Sequence, residues 1–399
     1  MLQQLSAHMC INVPRSSSAF AFILILLIGI MDPSQEGAEY LTAVFAKLGV
    51  PCRVANTVEK GKHILATADM PAQYSVFEEA PVVSWPSQGY LTLGVPFCLF
   101  CLRQRNNADI ADEGEHNWNS CAGCGSLFCS ESCLASAEMP HRVLCGVLQE
   151  LRKRECTDGC CRPITKESLA NCVAWVVGRI AGSIKQRQFS GKLLEENHRE
   201  NANSISRQLF HVVTAPFNRF LDAPKNAEFA DVDANSWYEE INKLLREPCR
   251  AVLLQSAAAP PSIGADWALE IVDGLLRHDT LERFLGILTL NSQGLNGFVA
   301  VPGAAGDMDS PSLPITWVLK GGGIYSLQSA FNHSCVPNVA VLAEGGTHDI
   351  TLRTLRAIKN GEELTITYIP VENTTRAERQ MKLEGYFFTC RCPLCEEEK

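Results

Sequence analysis

The hydrophobic positions predict β-type segments at the two ends of the chain and helices in the middle. From Cys52 to Trp85, short apolar runs are broken by glycine and proline, as in short strands joined by turns. Further along, apolar residues recur every three or four positions, which predicts amphipathic helices. These helical faces comprise Leu169, Cys172, Val173, Val176, Val177, Ile180 and Ile184; then Trp237, Ile241, Leu244 and Leu245; then Leu281, Phe284, Leu285 and Leu288.

A strand-type pattern returns after Trp317. Residues 339–342 and 350–355 are β-like, and the Asn360-Gly361 turn leads into a segment that alternates strictly. This alternation places Leu364, Ile366 and Tyr368 on one face of a strand. Loops are predicted over 217–235, 257–264 and 302–314. The order of elements therefore predicts an α+β fold in which a β-rich unit is interrupted by helices.

Composition and charge narrow the class of protein. The chain has 399 residues, of which 46% are hydrophobic and 20% charged, so a wholly disordered chain is excluded. Its length predicts two or three folding units. The formal net charge of −9 argues against a protein that binds nucleic acid mainly through phosphate contacts. It fits a basic partner, such as a lysine-rich protein segment.

The N-terminal 40 residues form an extension of uncertain type. Ala19–Met31 is an uncharged apolar run of 13 residues, too short to span a membrane comfortably. Arg15 precedes it, as in a signal peptide, but no A-x-A cleavage site follows. A true start at Met31, a signal peptide and a weak anchor all remain open. We expect a cytoplasmic or nuclear protein with no membrane partner.

The 18 cysteines provide the strongest chemical signal. Between residues 98 and 145, four closely spaced ligand pairs supply seven thiolates and one imidazole, enough for two tetrahedral zinc sites. Sequential and interleaved ligation are both compatible with these spacings. The eight ligands are Cys98, Cys101, Cys121, Cys124, Cys129, Cys133, His141 and Cys145.

A second group of thiolates lies at the C-terminus. Cys390, Cys392 and Cys395 are spaced to bind one metal ion but make an incomplete structural site. Cys335, which follows Asn332-His333-Ser334, is the candidate for the fourth ligand. The other cysteines have no convincing metal spacing and are interpreted as bystanders: Cys10, Cys52, Cys156, Cys160, Cys161, Cys172 and Cys249.

These motifs, in this order, resemble the SET- and MYND-domain protein-lysine methyltransferases. The motifs occur along the chain in the order found in the family. They are the Cys/His module, the helices, Asn332-His333-Ser334-Cys335-x2-Asn338, Gly361-Glu362-Glu363-Leu364 with Tyr368, and the C-x-C-x2-C segment. The chain stops shortly after Cys395, which makes it most similar to the divergent fifth member of the group. The resemblance implies a β-rich SET fold with a pseudoknot, divided into an N-terminal extension (1–40), the N-terminal part of SET (41–97), a MYND-type zinc module (98–145), a helical insert (146–297), the catalytic core (298–370) and a post-SET zinc segment with an acidic tail (371–399).

The same resemblance implies ligand sets and site residues. Cys98, Cys101, Cys129 and Cys133 would bind one zinc; Cys121, Cys124, His141 and Cys145 a second; Cys335, Cys390, Cys392 and Cys395 a third. S-adenosylmethionine would bind against Lys60, Gly61, Lys62, Asn332, His333 and Tyr368, with Phe388 on the adenine. Phe298, Tyr368 and Tyr386 would line the channel for the substrate lysine.

The chemistry implied by the resemblance is methyl transfer to a lysine amine. A narrow aromatic channel would desolvate and align the amine, and the Tyr368 hydroxyl would orient it. The resemblance makes histones and ribosomal proteins plausible substrates, with further partners binding the MYND-type surface. Direct nucleic-acid binding is not expected, because carboxylates outnumber arginines in the module.

One departure from the family pattern favours an alternative. Family members usually have Gly-x-Gly in the first cofactor-binding turn, whereas this chain has Gly61-Lys62-His63. A Cβ at the third position would crowd the cofactor or require a strained positive φ. The alternative is therefore a weak or inactive SET/MYND adaptor, such as a corepressor, that acts through its zinc module.

Overall fold

The computed structural model describes most of the chain beyond its N-terminal extension. The described residues are 37–105, 118–153, 164–189, 213–214, 216–224, 233–256, 266–300 and 315–398. The apolar run Ala19–Met31 and the predicted loop 302–314 lie outside them, as do Cys156, Cys160 and Cys161. Within these ranges, no helix is both long enough and apolar enough to cross a membrane.

The N-terminal part is a helix followed by short strands. Helix α1 (Gly37–Lys47) precedes β1 (Cys52–Thr57), β2 (Gly61–Ala66), β3 (Ser75–Glu79) and β4 (Val83–Pro86), and the short helix α2 (Gln88–Thr92) follows. β1 and β2 form a hairpin in which Cys52 pairs with Ala66 and Thr57 with Gly61. Gly61 has a φ of +61°, a conformation that glycine adopts without steric cost.

The described part of the cysteine-rich module contains two very short strands and one longer helix. It has the two-residue strands β5 (Asn119–Ser120) and β6 (Leu127–Phe128) and the helix α3 (Glu131–Leu144). Ser130 caps α3 by accepting a hydrogen bond from the backbone N–H of Cys133. The helix α4 (Leu148–Leu151) follows. The sequence had not predicted α3, which contains Pro140 and buries Ala137, Val143 and Leu144.

The middle of the chain is helical, as the hydrophobic periodicity predicts. It contains α5 (Lys166–Phe189), α6 (Ala234–Ser256), α7 (Asp266–Leu275) and α8 (His278–Asn291). Their apolar faces form one core, together with Val143, Leu144 and Leu148 beside the zinc module. Two details differ from the sequence prediction. Phe217–Arg219 is a 3-10 turn within the predicted loop, with Phe217 buried, and α7 had not been predicted.

The C-terminal part completes the β-structure. β7 (Ser292–Ala300) and β8 (Ile315–Ile324) form an antiparallel hairpin, and β4 pairs with β8. A 3-10 turn (Gln328–Ala330) leads to β9 (Asn332–His333), which is followed by β10 (Val339–Leu342), β11 (Ile350–Thr354) and β12 (Glu363–Ile366). The chain ends with α9 (Arg376–Leu383), a 3-10 turn (Glu384–Tyr386) and α10 (Pro393–Glu397).

Segments distant in sequence meet in two of the described sheets. One has the order β1-β2-β12-β9, and another has the order β10-β11-β3. β12 pairs antiparallel with β2 but parallel with β9, where Thr365 lies opposite Asn332 and Ile366 opposite His333. A second core, which includes Phe45, Ile64, Phe77, Phe331 and Leu364, lies between these sheets and α1. This arrangement brings the Asn332-His333 motif beside the strand that precedes Tyr368.

The glycine run in β8 has a packing reason. A Cβ on Gly321 would lie 2.1 Å from the backbone oxygen of Trp85, and one on Gly322 would lie 2.7 Å from the Trp85 ring. Trp85 itself is completely buried. The glycines therefore allow β8 to pack directly against β4 and the Trp85 side chain.

Candidate functional site

The centre of the candidate site is the parallel pair of strands β9 and β12. The side chain of Asn338 binds the backbone of β12: its Nδ2 donates to Glu363 O at 2.8 Å, and its Oδ1 accepts from Thr365 N at 2.8 Å. Asn338 is buried. Asn338 belongs to the motif, but no role had been predicted for it. The two hydrogen bonds to the β12 backbone hold the loop after β9 against β12, next to Tyr368.

Tyr368 lies just after β12 with its hydroxyl turned inward. The hydroxyl donates to the backbone oxygen of Phe331 at 2.5 Å. Its ring centroid is 5.1 Å from that of Tyr386 and 5.4 Å from that of His333. Burial raises the pKa of Tyr368 further above its usual value, with smaller contributions from Tyr386 and Glu363. The phenol therefore stays protonated at neutral pH and is a hydrogen-bonding group, not a base.

Two of the predicted channel residues line one pocket. Tyr368 and Tyr386 form part of a cavity of about 100 Å³ between the end of α8, the start of β7 and the loop before β9. This volume suits an extended side chain, because pockets for whole small-molecule ligands are usually about 300 Å³ or larger. Its other lining residues, none of which the sequence had singled out, are Leu290, Asn291, Ser292, Gln293, Gly294, Gln328, Ser329 and Thr367.

The structure does not place the third predicted channel residue there. Phe298 lies further along β7, is 70% exposed and packs edge-on against Trp317 of β8, with ring centroids 4.6 Å apart. The prediction for Phe298 is therefore corrected. Gln293 and Gly294, at the beginning of the same strand, lie where the sequence had placed an aromatic residue.

The predicted cofactor turn lies beside Asn332. Asn332 Nδ2 donates to Lys60 O at 3.1 Å, and Lys60 Nζ forms an ion pair with Glu363 at 2.6 Å. The side chain of Lys62 turns away and donates to the backbone oxygen of Arg219 at 3.0 Å. The hairpin turn is thus attached to β9, to β12 and to the loop that contains Arg219.

His63 does not strain this turn. It lies in β2 opposite Ala55, its side chain is buried, and it is not among the residues with positive φ. Its Nδ1 is 2.9 Å from Gly61 O. The expectation of a positive φ at His63 was wrong, because only Gly61 of this turn takes up the left-handed conformation.

Phe388 lies on the outer side of the same cluster. It is 38% exposed, and its ring centroid is 6.0 Å from that of His333 and 6.3 Å from that of Tyr368. An aromatic face open to solvent can stack on a flat heterocycle. The structure therefore brings Phe388, His333 and Tyr368 together, next to Asn332 and the Lys60 turn.

The twelve predicted metal ligands form three groups of four. In each group the ligand atoms lie within 4.8 Å of one another. Four sulfurs around a tetrahedral zinc at about 2.3 Å would be separated by about 3.8 Å. The observed separations are close to this, for example 3.5 Å between Cys101 and Cys129, 3.5 Å between Cys121 and Cys145, and 3.6 Å between Cys335 and Cys395.

The first two groups interleave along the chain. The first comprises Cys98, Cys101, Cys129 and Cys133, and the second comprises Cys121, Cys124, His141 and Cys145. His141 presents Nε2 to its group, 3.5 Å from Cys124 Sγ. All described cysteines are free thiols in the structure. These donor sets fit structural zinc.

The third group connects the C-terminal segment to the candidate site. Cys335, two residues after His333, meets Cys390, Cys392 and Cys395. Arg379 is buried beside this group: its guanidinium donates to Thr374 O at 2.7 Å, lies 3.7 Å from Cys395 Sγ and pairs with Glu398 at 2.6 Å. A positive charge next to a thiolate cluster offsets part of its negative charge.

Comparison with known proteins agrees with this geometry. The family model described as "SET domain" matches residues 193–369. The chain is 22% identical over 392 residues to the protein-lysine N-trimethyltransferase SMYD5 of Homo sapiens, an alignment that covers 88% of each protein. It is 22% identical over 352 residues to the histone-lysine N-methyltransferase ASHR2 of Arabidopsis thaliana, covering 87% of this chain and 72% of the relative.

Shorter alignments show higher identity. A SET and MYND domain-containing protein of Dictyostelium discoideum is 41% identical over 76 residues, which is 19% of this chain and 15% of the relative. A second such protein from the same organism is 36% identical over 75 residues, 18% of its length. The chain thus aligns with under a fifth of each of these two relatives.

Residues 193–369 therefore match the SET domain family, within a chain of mixed α/β structure. Its similarity to SMYD5 along most of its length, together with the three Cys/His groups, confirms the resemblance to the SET and MYND domain-containing proteins.

Proposed function

We propose that this protein is an S-adenosylmethionine-dependent protein-lysine N-methyltransferase. The observation that carries the proposal is the position of Tyr368: its hydroxyl is fixed on Phe331 O, and its ring lines a small pocket whose other aromatic wall is Tyr386. The SET-domain match and the names of the relatives, which are protein-lysine and histone-lysine methyltransferases, point the same way.

The residues around β9 fit the proposed cofactor. The exposed face of Phe388 suits a stacked adenine, and the β1–β2 turn offers backbone groups beside Asn332 and His333. S-adenosylmethionine supplies an electrophilic methyl group when bound. Asn332 donates a hydrogen bond to Lys60 O, and His333 Nδ1 accepts one from the backbone N–H of Tyr368 at 3.0 Å. These contacts position the proposed cofactor residues together with the tyrosine.

Within this proposal the pocket residues prepare the substrate amine. A free lysine has a pKa of about 10.4, so it must lose a proton and its hydration before it attacks. The walls formed by Tyr368 and Tyr386 exclude water. Because the hydroxyl hydrogen of Tyr368 is donated to Phe331 O, its oxygen is free to accept an amine N–H and orient the lone pair.

We further propose lysines in basic segments of histones or ribosomal proteins as substrates. The net charge of −9 favours a basic partner. The first two Cys/His groups would form a MYND-type module that recruits protein partners, and the third would form a post-SET segment that closes the site. Since all three groups need reduced thiolates, we propose a cytoplasmic or nuclear location.

The inactive adaptor is the competing function. His63 was the feature in its favour, and His63 shows no backbone strain. The test uses zinc-replete full-length protein. We expect S-adenosylmethionine to bind in calorimetry and labelled methyl to enter core histones or ribosomal proteins. Well-folded protein that fails to bind the cofactor would contradict the methyltransferase and leave the adaptor as the competing function.

A further inference from the structure

Two glutamines line the pocket together with the two tyrosines. They are Gln293, at the start of β7, and Gln328, in the turn before β9. Gln328 is 6% exposed, and its Oε1 has no hydrogen-bond partner among the described residues. An unpaired buried acceptor is costly, and such groups in native proteins usually have a ligand or a function.

The orientation of the Gln328 amide follows from its neighbours. Gln293 Nε2 donates to Gly294 O at 3.1 Å, and a carbonyl can only accept. This leaves Gln293 Oε1 as the acceptor for Gln328 Nε2 at 3.2 Å. If the Gln328 amide were flipped, two oxygens would face each other. The unpaired atom of Gln328 is therefore the oxygen.

The backbone of Gln328 is equally fixed. The buried carboxyl of Glu79 accepts from Leu327 N at 2.8 Å and from Gln328 N at 3.0 Å. Glu79 lies in β3, on the core side of the turn. Gln328 thus lines the pocket from a turn whose backbone is held in place, which lowers the entropic cost of binding through its side chain.

We propose that Gln328 is a substrate-binding residue, whose Oε1 accepts an N–H from the ε-amine of the substrate lysine. This inference rests on the proposed methyltransferase function and adds the atom that recognises the amine. Tyr368 Oη accepts one N–H and Gln328 Oε1 a second, so that the lone pair of the neutral amine is directed out of the plane of these two bonds. The need for these two acceptors declines as methyl groups replace the amine hydrogens, because the neutral side-chain amine of dimethyllysine carries no N–H.

The test compares three peptide pools that have random sequences around one central lysine, which is unmethylated, monomethylated or dimethylated. Methyl transfer is measured for wild type and for Gln328→Met, which keeps length but has no amide. We expect kcat/KM for the unmethylated pool to fall by about tenfold or more, as for loss of a hydrogen bond to a buried group. The dimethylated pool should change by less than about threefold, since its amine offers no N–H to accept.

Gln104→Leu is the matched control. Gln104 makes two hydrogen bonds with Ala300 of β7, and it lies outside the pocket. Its loss should affect all three pools to the same degree. Equal losses for Gln328→Met across the pools would show a purely structural role and overturn the inference, while the proposed function would stand. Wild-type protein that transfers no methyl to any pool would overturn both.

Discussion

The imidazole of His333 links Tyr368 to Cys335. The backbone N–H of Tyr368 donates to His333 Nδ1 at 3.0 Å, and His333 Nε2 lies 3.3 Å from Cys335 Sγ. Nδ1 is therefore an acceptor, and the ring hydrogen is on Nε2, facing the sulfur. One side chain thus joins the proposed catalytic tyrosine to a ligand of the third Cys group. The C-terminal metal group and the candidate site form one structural unit.

This link predicts that the third metal ion supports activity. We expect about three zinc ions per chain in wild type, from the three ligand groups. Cys335→Ser should remove about one ion and, because Tyr368 loses the support of His333 and its neighbours, should also lower methyl transfer. Elemental analysis and an activity assay on the same sample check this. Cys172→Ser, at a buried thiol in the helical core, is the control and should retain all the zinc.

Two outcomes would contradict the metal assignment. One is a zinc content near one ion in well-folded wild-type protein. The other is Cys335→Ser protein that retains wild-type zinc content.

Glu79 predicts a pH dependence of stability. The carboxyl is fully buried, and this desolvation raises its pKa to about 7. Hydrogen bonds from backbone N–H groups lower the pKa and offset part of the desolvation effect. In the unfolded chain the pKa is near 4.3. Between these values the folded state binds more protons than the unfolded state, so the free energy of unfolding falls as pH rises from about 4.5 to 7 and then levels off.

Urea unfolding at pH 5 and pH 7.5 measures this effect. We expect Glu79→Gln to remove roughly 2–3 kcal/mol of the difference in unfolding free energy between these pH values, which is the part of the pKa shift expressed in that interval. Glu344→Gln, on an exposed ion pair with Arg353, should leave the difference unchanged. A pH difference that is the same in Glu79→Gln and wild type would contradict the account of Glu79.

The glycine run predicts a steric effect on stability. Gly321→Ala would place a methyl group 2.1 Å from Trp85 O, so β8 and β4 must separate. We expect a loss of about 1–3 kcal/mol or more in the free energy of unfolding, as for other overpacked sites. Gly345→Ala is the control, because its methyl would only approach Thr347 Oγ1 at 3.7 Å. Equal stability of the two variants would refute this packing argument.

The sequence predicted the features that depend on residues close together along the chain. Ligand spacing identified the three Cys/His groups, and apolar periodicity identified α5, α6 and α8. The parts that it missed depend on distant contacts. Gln328 and Gln293 are ordinary polar residues until the fold brings the start of β7 against the turn before β9.

The error at Phe298 has a similar cause. Phe298 was assigned to the channel from the family resemblance alone, but β7 places its beginning, not Phe298, at the pocket. Helix α3 was missed because its buried residues contact the zinc module and α5 instead of forming a regular stripe. Pro140 of this helix packs on Gly178 of α5, a contact that sequence periodicity does not reveal.

A comparison of two tyrosine-to-phenylalanine variants shows whether Tyr368 acts at a methyl-transfer site. Each variant removes one buried hydrogen bond to a backbone oxygen. Tyr368→Phe removes the bond to Phe331 O, and Tyr325→Phe removes the bond to His348 O. Each should therefore lose about 1 kcal/mol of stability. We expect kcat/KM for methyl transfer to fall by about 100-fold or more in Tyr368→Phe, as for loss of a positioned catalytic hydrogen bond, and to stay near wild type in Tyr325→Phe. Wild-type methyl transfer by folded Tyr368→Phe protein would contradict this expectation.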